Sequence, residues 1–124
     1  MSNYIDGFTF PIPSDRIAEY RKVATAVAEI YREHGALEYV EFIGDDMLRE
    51  GPRSFPEMVG ASEKDSVVFG WISYESRAAR DMVNERIESD PRLAELVAPL
   101  MDPSSPIFNP AQMAFAGFQA FIRK

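Results

Sequence analysis

Few side chains in this sequence are suited to chemistry. His34 is the only histidine. An imidazole titrates near neutrality, so His34 is a candidate general base. It also falls at the end of a predicted helix, where a cation complements the macrodipole without any catalytic role. Asp6, Glu38 and Glu41 interrupt otherwise apolar strands. A carboxylate facing a core must be paired or shift its pKa, and such groups gather at functional sites. On a strand edge the same group points to solvent or pairs with an arginine. His34 and Glu41 are therefore the candidate catalytic residues, either one serving as a proton acceptor. Tyr39, Phe55 and Trp71, with Tyr74, are the aromatics suited to lining an apolar ligand pocket. Plain core and interface packing is the alternative for each.

Other chemistries find no support. There is no cysteine, and one histidine cannot make a two-histidine motif, so no metal site is expected. Asp45-Asp46 lacks the spacing of a calcium loop. No P-loop, dinucleotide-binding glycine pattern or nucleophile elbow is present, and no cofactor is expected. The formal net charge of −7 repels phosphate backbones, so nucleic acid is not an expected partner. No apolar stretch approaches membrane-spanning length, and membrane is not expected as a partner either. The opening residues, MSNYIDGF, carry no basic and apolar leader pattern, so the cytoplasm is the expected compartment.

The elements that position these residues follow from periodicity. A strand is predicted from Asn3 to Phe10, with Tyr4, Asp6, Phe8 and Phe10 on one side, and Pro11 and Pro13 ending it. Ser14 is the predicted cap of a helix whose buried stripe is Ile17, Tyr20, Ala24, Val27, Ala28 and Tyr31, closed by Gly35. Leu37–Ile43 is a second strand, placing Tyr39 and Glu41 on one face and Glu38 on the other. His34, Tyr39 and Glu41 are thus near in sequence, and the long 45–64 connection carrying Phe55 is positioned to act as a lid over them. Glu57–Ala61 within it is read as a short strand.

Ser66–Tyr74 is a buried strand rich in β-branched and aromatic residues. It breaks at Ser76, a helix cap, into an amphipathic helix with Ala79, Met82, Val83, Arg86 and Ile87 on one face. Arg77, Arg80, Asp81 and Glu85 read as solvated, Arg77 and Asp81 as an i,i+4 pair. A short helix over 92–100 and a final strand over 111–122 complete the chain. The order β-α-β-β-α-β predicts an α+β, ferredoxin-like domain with an antiparallel sheet, spanning residues 1–124. The strands carry apolar residues on both faces, yet two helices cover only one, so a second surface must cover the other.

The segments HGALEY (34–39), GDD (44–46), SFP (54–56), VVFGWISYESRAARDMVN (67–84), SDPRL (89–93), MDP (101–103) and AGF (116–118) resemble the DUF1428 family in order and spacing. The resemblance implies a dimeric α/β barrel, in which two ferredoxin-like protomers pack sheet against sheet as a homodimer. It implies no catalytic residues, since the family has no settled activity. Related barrels include cofactor-free monooxygenases, haem-degrading enzymes and stress-response proteins. The expected role is binding of a small molecule, or a stress-related function, with the pocket between sheet and helices. The alternatives are a cofactor-independent oxygenase or isomerase using His34 or a strand carboxylate as base, and a purely structural dimer.

Overall fold

The computed structural model describes residues 2–124. The elements in chain order are β1 (Tyr4–Pro13), α1 (Ile17–Glu33), β2 (Glu38–Ile43), α2 (Phe55–Val59), β3 (Asp65–Tyr74), α3 (Arg77–Glu88), α4 (Pro91–Val97) and β4 (Ala114–Gln119). The strands form one antiparallel sheet in the order β2-β3-β1-β4. This is the ferredoxin-like arrangement that the element order predicts.

Alternation within each strand divides the sheet into two faces. Phe8, Phe10 and Ile12 of β1 and Val68, Ile72 and Tyr74 of β3 are buried against the helices. Ile30 of α1 and Val83 and Ile87 of α3 meet them from above. Each such side chain contributes about 1.5–3 kcal/mol by leaving water. Rows of paired residues cross the sheet on this face. One runs Glu41–Gly70–Phe8–Phe115, and the next Tyr39–Ile72–Asp6–Gly117. The opposite face carries Phe42, Phe69 and Phe118, all exposed, with Trp71 beside them.

The helix ends follow local chemistry. Ser76 caps α3 by accepting from the Ala79 amide at 3.1 Å. Gly35, at φ 119°, closes α1 in a Schellman turn, with the Ala36 amide donating to the Tyr31 carbonyl at 3.0 Å.

Five expectations are corrected. β1 does not stop at Pro11 but runs on to Pro13, paired with β3 through Pro11↔Val67 and Pro13↔Asp65. β4 pairs only as far as Thr9, so beyond it β1 has one partner strand, and prolines are tolerated on such an edge. Ser14 does not cap α1. It opens a 3-10 turn, and its hydroxyl lies 2.7 Å from that of Ser66. Residues 57–61 are not a strand, because Ser54 caps α2, accepting from the Glu57 amide at 3.2 Å with Pro56 in the first turn. Arg77 and Asp81 do not pair, since Asp81 is taken by Arg80 at 2.8 Å. The last strand is shorter than 111–122, because Pro110–Gln112 forms a 3-10 turn first.

α2 lies on the face opposite α1 and α3, where Phe55 stacks on Phe69 with ring centroids 5.6 Å apart. The chain from α4 to β4 crosses the helix side instead, burying Leu100 and Ile107. No helix among the described residues is long and apolar enough to cross a membrane.

Candidate functional site

The space between the sheet and α1 is incompletely filled. A hollow of about 280 Å³ is lined by Phe8, Phe10, Tyr31, Ile72, Leu100 and Phe108 among others. A second, also of about 280 Å³, is lined by Ile12, Ile17, Arg21, Glu41 and Val68 among others. The two meet at Tyr20, Ala24 and Tyr39, which line both. The first is almost wholly apolar and aromatic. The second brings the carboxyl of Glu41 to its wall.

Sequence position explains this meeting. Tyr20 lies near the start of α1 on its buried stripe, and Tyr39 and Glu41 alternate onto the helix side of β2. The Tyr20 hydroxyl donates a short hydrogen bond to Glu41 Oε1. Glu41 Oε2 is buried and has no hydrogen-bond partner. Burial pushes the Glu41 carboxyl above the ordinary range, while the Tyr20 and Tyr39 hydroxyls pull it the other way. Burial, reinforced by the carboxylate, drives the Tyr20 and Tyr39 phenols well above their usual values, so both act as hydroxyl donors. All five tyrosines belong to this side of the sheet: Tyr74 is buried in the core, and Tyr4, Tyr20, Tyr31 and Tyr39 pack against it.

A second buried carboxyl stands in the neighbouring row. Asp6 is fully buried, and its Oδ1 lies 2.7 Å from Arg80 Nη1. Arg80 also stands over the Tyr4 ring, 5.0 Å from its centroid, and contacts the Tyr4 hydroxyl at 3.3 Å. Burial raises the Asp6 carboxyl and the Arg80 charge opposes it. Arg80, read from the sequence as solvated, is thus a largely buried partner.

His34 lies elsewhere. It caps the far end of α1, about 21 Å along the helix from Tyr20 at the usual rise per residue. Its Nε2 is 2.8 Å from Asp90 Oδ2. Asp90 caps α4 and is also paired with Arg92 at 2.7 Å. Hydrogen bonds from Arg92 and His34 hold the Asp90 carboxyl far below its usual range. Glu33, His34 and Asp90 present ligand atoms within 4.8 Å of one another. Arg92 bridges Glu33 and Asp90, supplying the positive charge that a cation would bring.

Of the residues singled out from the sequence, Tyr39 and Glu41 come together at the hollows. His34 does not join them. Phe55 and Trp71 lie on the opposite face, where Trp71 Nε1 donates to Glu38 Oε1 at 3.1 Å. No residue of the 44–64 connection lines either hollow. The cover comes from Leu93, Val97, Leu100, Met101 and Phe108. Tyr20 and Tyr31 were legible only as members of an apolar stripe. Their phenols at positions facing two tyrosine- and acid-bearing strands were the available signal.

Comparison with known proteins agrees with this architecture. A family model described as "Protein of unknown function (DUF1428)" matches residues 3–103. The uncharacterised protein YbaA of Escherichia coli is 36% identical over 119 residues, covering 96% of this chain and 97% of that protein. YbaA of Shigella flexneri is similar to the same extent: 36% identity, 96% of this chain and 97% of its own. Among solved structures, the chain is similar to a monooxygenase from the gene ActVA-Orf6 of Streptomyces coelicolor, in complex with the ligand nanaomycin D. That likeness has a TM-score of 0.60 at 20% identity, over 99% of this chain and 91% of the other. A nipsnap family protein of unknown function from Agrobacterium tumefaciens gives a TM-score of 0.57 at 16% identity, over 96% and 88%. At such identities the solved structures speak to the fold alone, an α+β domain with helices on one side of an antiparallel sheet. The family match, and relatives alike over nearly their whole length, decide membership: this chain belongs to the DUF1428 family.

Proposed function

We propose that this protein binds a small, largely apolar molecule between the sheet and α1. The observation that carries the reading is the aromatic hollow joined at Tyr20 and Tyr39 to a wall holding the partly unpartnered Glu41 carboxyl. An apolar enclosure with a few convergent polar groups is the usual form of a small-ligand site. The solved monooxygenase of like fold, with its bound ligand, is consistent with such use. Native mass spectrometry of freshly purified protein tests it. A retained molecule is expected on the wild type, and Ala24→Phe, which fills the junction of the hollows, should release it. A retained molecule equally bound to Ala24→Phe would place the site elsewhere.

A second reading is a cofactor-independent enzyme in which Glu41 accepts a proton from the ligand. One observation favours it: burial raises the Glu41 carboxyl, which brings a general base nearer the pH at which it works best. His34, bonded to Asp90 away from the hollows, has no part in this version.

The working form in either reading is a homodimer joined through the open sheet faces. Phe42, Phe69 and Phe118 are 53%, 40% and 56% exposed, a patch that soluble monomers rarely present. A second copy covers it with the same surface, as an isologous interface requires.

A further inference from the structure

Asp6, fully buried, and Glu41, half-buried, each leave one carboxyl oxygen without a partner, yet only one of them has a counter-charge, and that difference bears on the ligand. Asp6 has a cation of its own, Arg80, at 2.7 Å. Glu41 has hydroxyls instead: Tyr20 bonded to Oε1 and Tyr39 close by. Among the described residues no Lys, Arg or His forms an ion pair with Glu41. Arg21 lines the same hollow, but is exposed and not paired with it. Hydroxyl donors favour the ionised form of a carboxyl, and burial without a counter-charge opposes it. What the site lacks is a positive charge beside Oε2.

Resting on the ligand-binding reading above, we propose that the ligand carries an organic ammonium group that pairs with Glu41 and leaves its apolar body in the aromatic hollow. The phenol rings of Tyr20 and Tyr39 suit this occupant, because aromatic faces attract cations most strongly where water is excluded. The net charge of −7 concentrates cations, rather than anions, around the molecule. The ammonium does for Glu41 what Arg80 does for Asp6.

The test uses three probes of similar carbon frame: 3-phenylpropylamine, 3-phenylpropan-1-ol and 4-phenylbutan-2-one. Binding is followed at neutral pH by the ring resonances of the tyrosines, on wild type, Glu41→Gln and Thr25→Lys. Thr25 lies on the exposed rim of the hollow, so the lysine supplies an internal cation without entering the core. The amine is expected to bind about tenfold more tightly than the alcohol to the wild type, roughly 1.4 kcal/mol. Both variants should lose that preference, the amine then binding no more tightly than the alcohol. Should Glu41→Gln not fold, Thr25→Lys carries the comparison alone. Equal or tighter binding of the alcohol or ketone to the wild type overturns the ammonium and leaves the ligand site standing. An amine preference that survives in the variants overturns Glu41 as its partner. No response to any probe at millimolar concentration overturns the ligand site and the proposal together.

Discussion

Glu41 and Asp6 face the same side of the sheet, on strands separated by β3. Burial raises both carboxyls, so each is harder to ionise in the folded chain than in the unfolded one. The sign of the linkage follows. Stability is greatest below the unfolded pKa values and falls as pH rises through the raised native ones. Glu41→Gln removes one of these groups while keeping an acceptor for the Tyr20 hydroxyl. Melting temperature recorded from pH 4 to 8 should decline less steeply in the variant than in the wild type. Parallel declines would mean that Glu41 ionises as freely in the fold as outside it.

Arg80 gives the complementary case. Arg80→Met leaves the Asp6 carboxylate buried without its cation, which at neutral pH destabilises by about 3–5 kcal/mol. Urea unfolding measures it, and adding Asp6→Asn to Arg80→Met should recover much of the loss. A loss below about 1 kcal/mol for Arg80→Met alone would mark the pair as no stronger than a surface contact.

At the scale of elements, Gly70 allows β2, β3 and Phe8 to meet. A Cβ there would run into the Val40 carbonyl and come within 2.9 Å of the Phe8 ring. Gly70 sits between Glu41 and Phe8 in one row, and the Phe8 ring takes up the space its side chain would fill. Gly70→Ala should cost about 1–3 kcal/mol as overpacking. β2 is an edge strand and yields first, so its amides should show the largest rise in hydrogen exchange. A uniform rise across all four strands would instead mean that the sheet opens as one unit. Where α1 meets α4, His34 and Arg92 hold Asp90 and Arg92 holds Glu33, beside the apolar packing of Leu93 and Leu96 that anchors the segment covering the aromatic hollow.

At the scale of the molecule, the sheet has two apolar faces and helices enough for one. Val68 and Ile72 are buried under the helices, whereas Phe69 and Trp71 lie on the face that α2 covers only in part. Charged substitutions on the two faces should therefore fail differently. Phe69→Lys is expected to give a folded monomer, visible as a halved mass in light scattering with circular dichroism unchanged. Ile72→Lys, which buries a charge with no partner, is expected to unfold the protomer. The buried area between copies should reach about 2,000 Å² in total, the range of obligate dimers. A wild type that is monomeric at micromolar concentration would overturn the homodimer.

Taken alone, the sequence determined the strand order along the chain, the two-faced strands, the Ser76 cap and the family. These rest on period, on local capping chemistry and on motif order, all of which are contained within a few neighbouring residues. The signal for α2 is equally local, yet the reading of residues 57–61 as a strand passes over it: Ser54-Phe55-Pro56-Glu57 has a hydroxyl cap, a proline in the first turn and an acid at the third position. Alternation also placed Tyr39 and Glu41 on a common face. It did not decide which face the helices would take, since both are apolar, and so Phe55 and Trp71 could be grouped with Tyr39 though they lie across the sheet from it. Only the tertiary structure separated His34 from Glu41, because nearness in sequence spans the length of a helix as readily as a turn. Only it showed that Arg80 belongs to Asp6 while Glu41 is left with phenols, because an ion pair between residues 74 positions apart is set by how α3 lies on β1 and by nothing local to either residue.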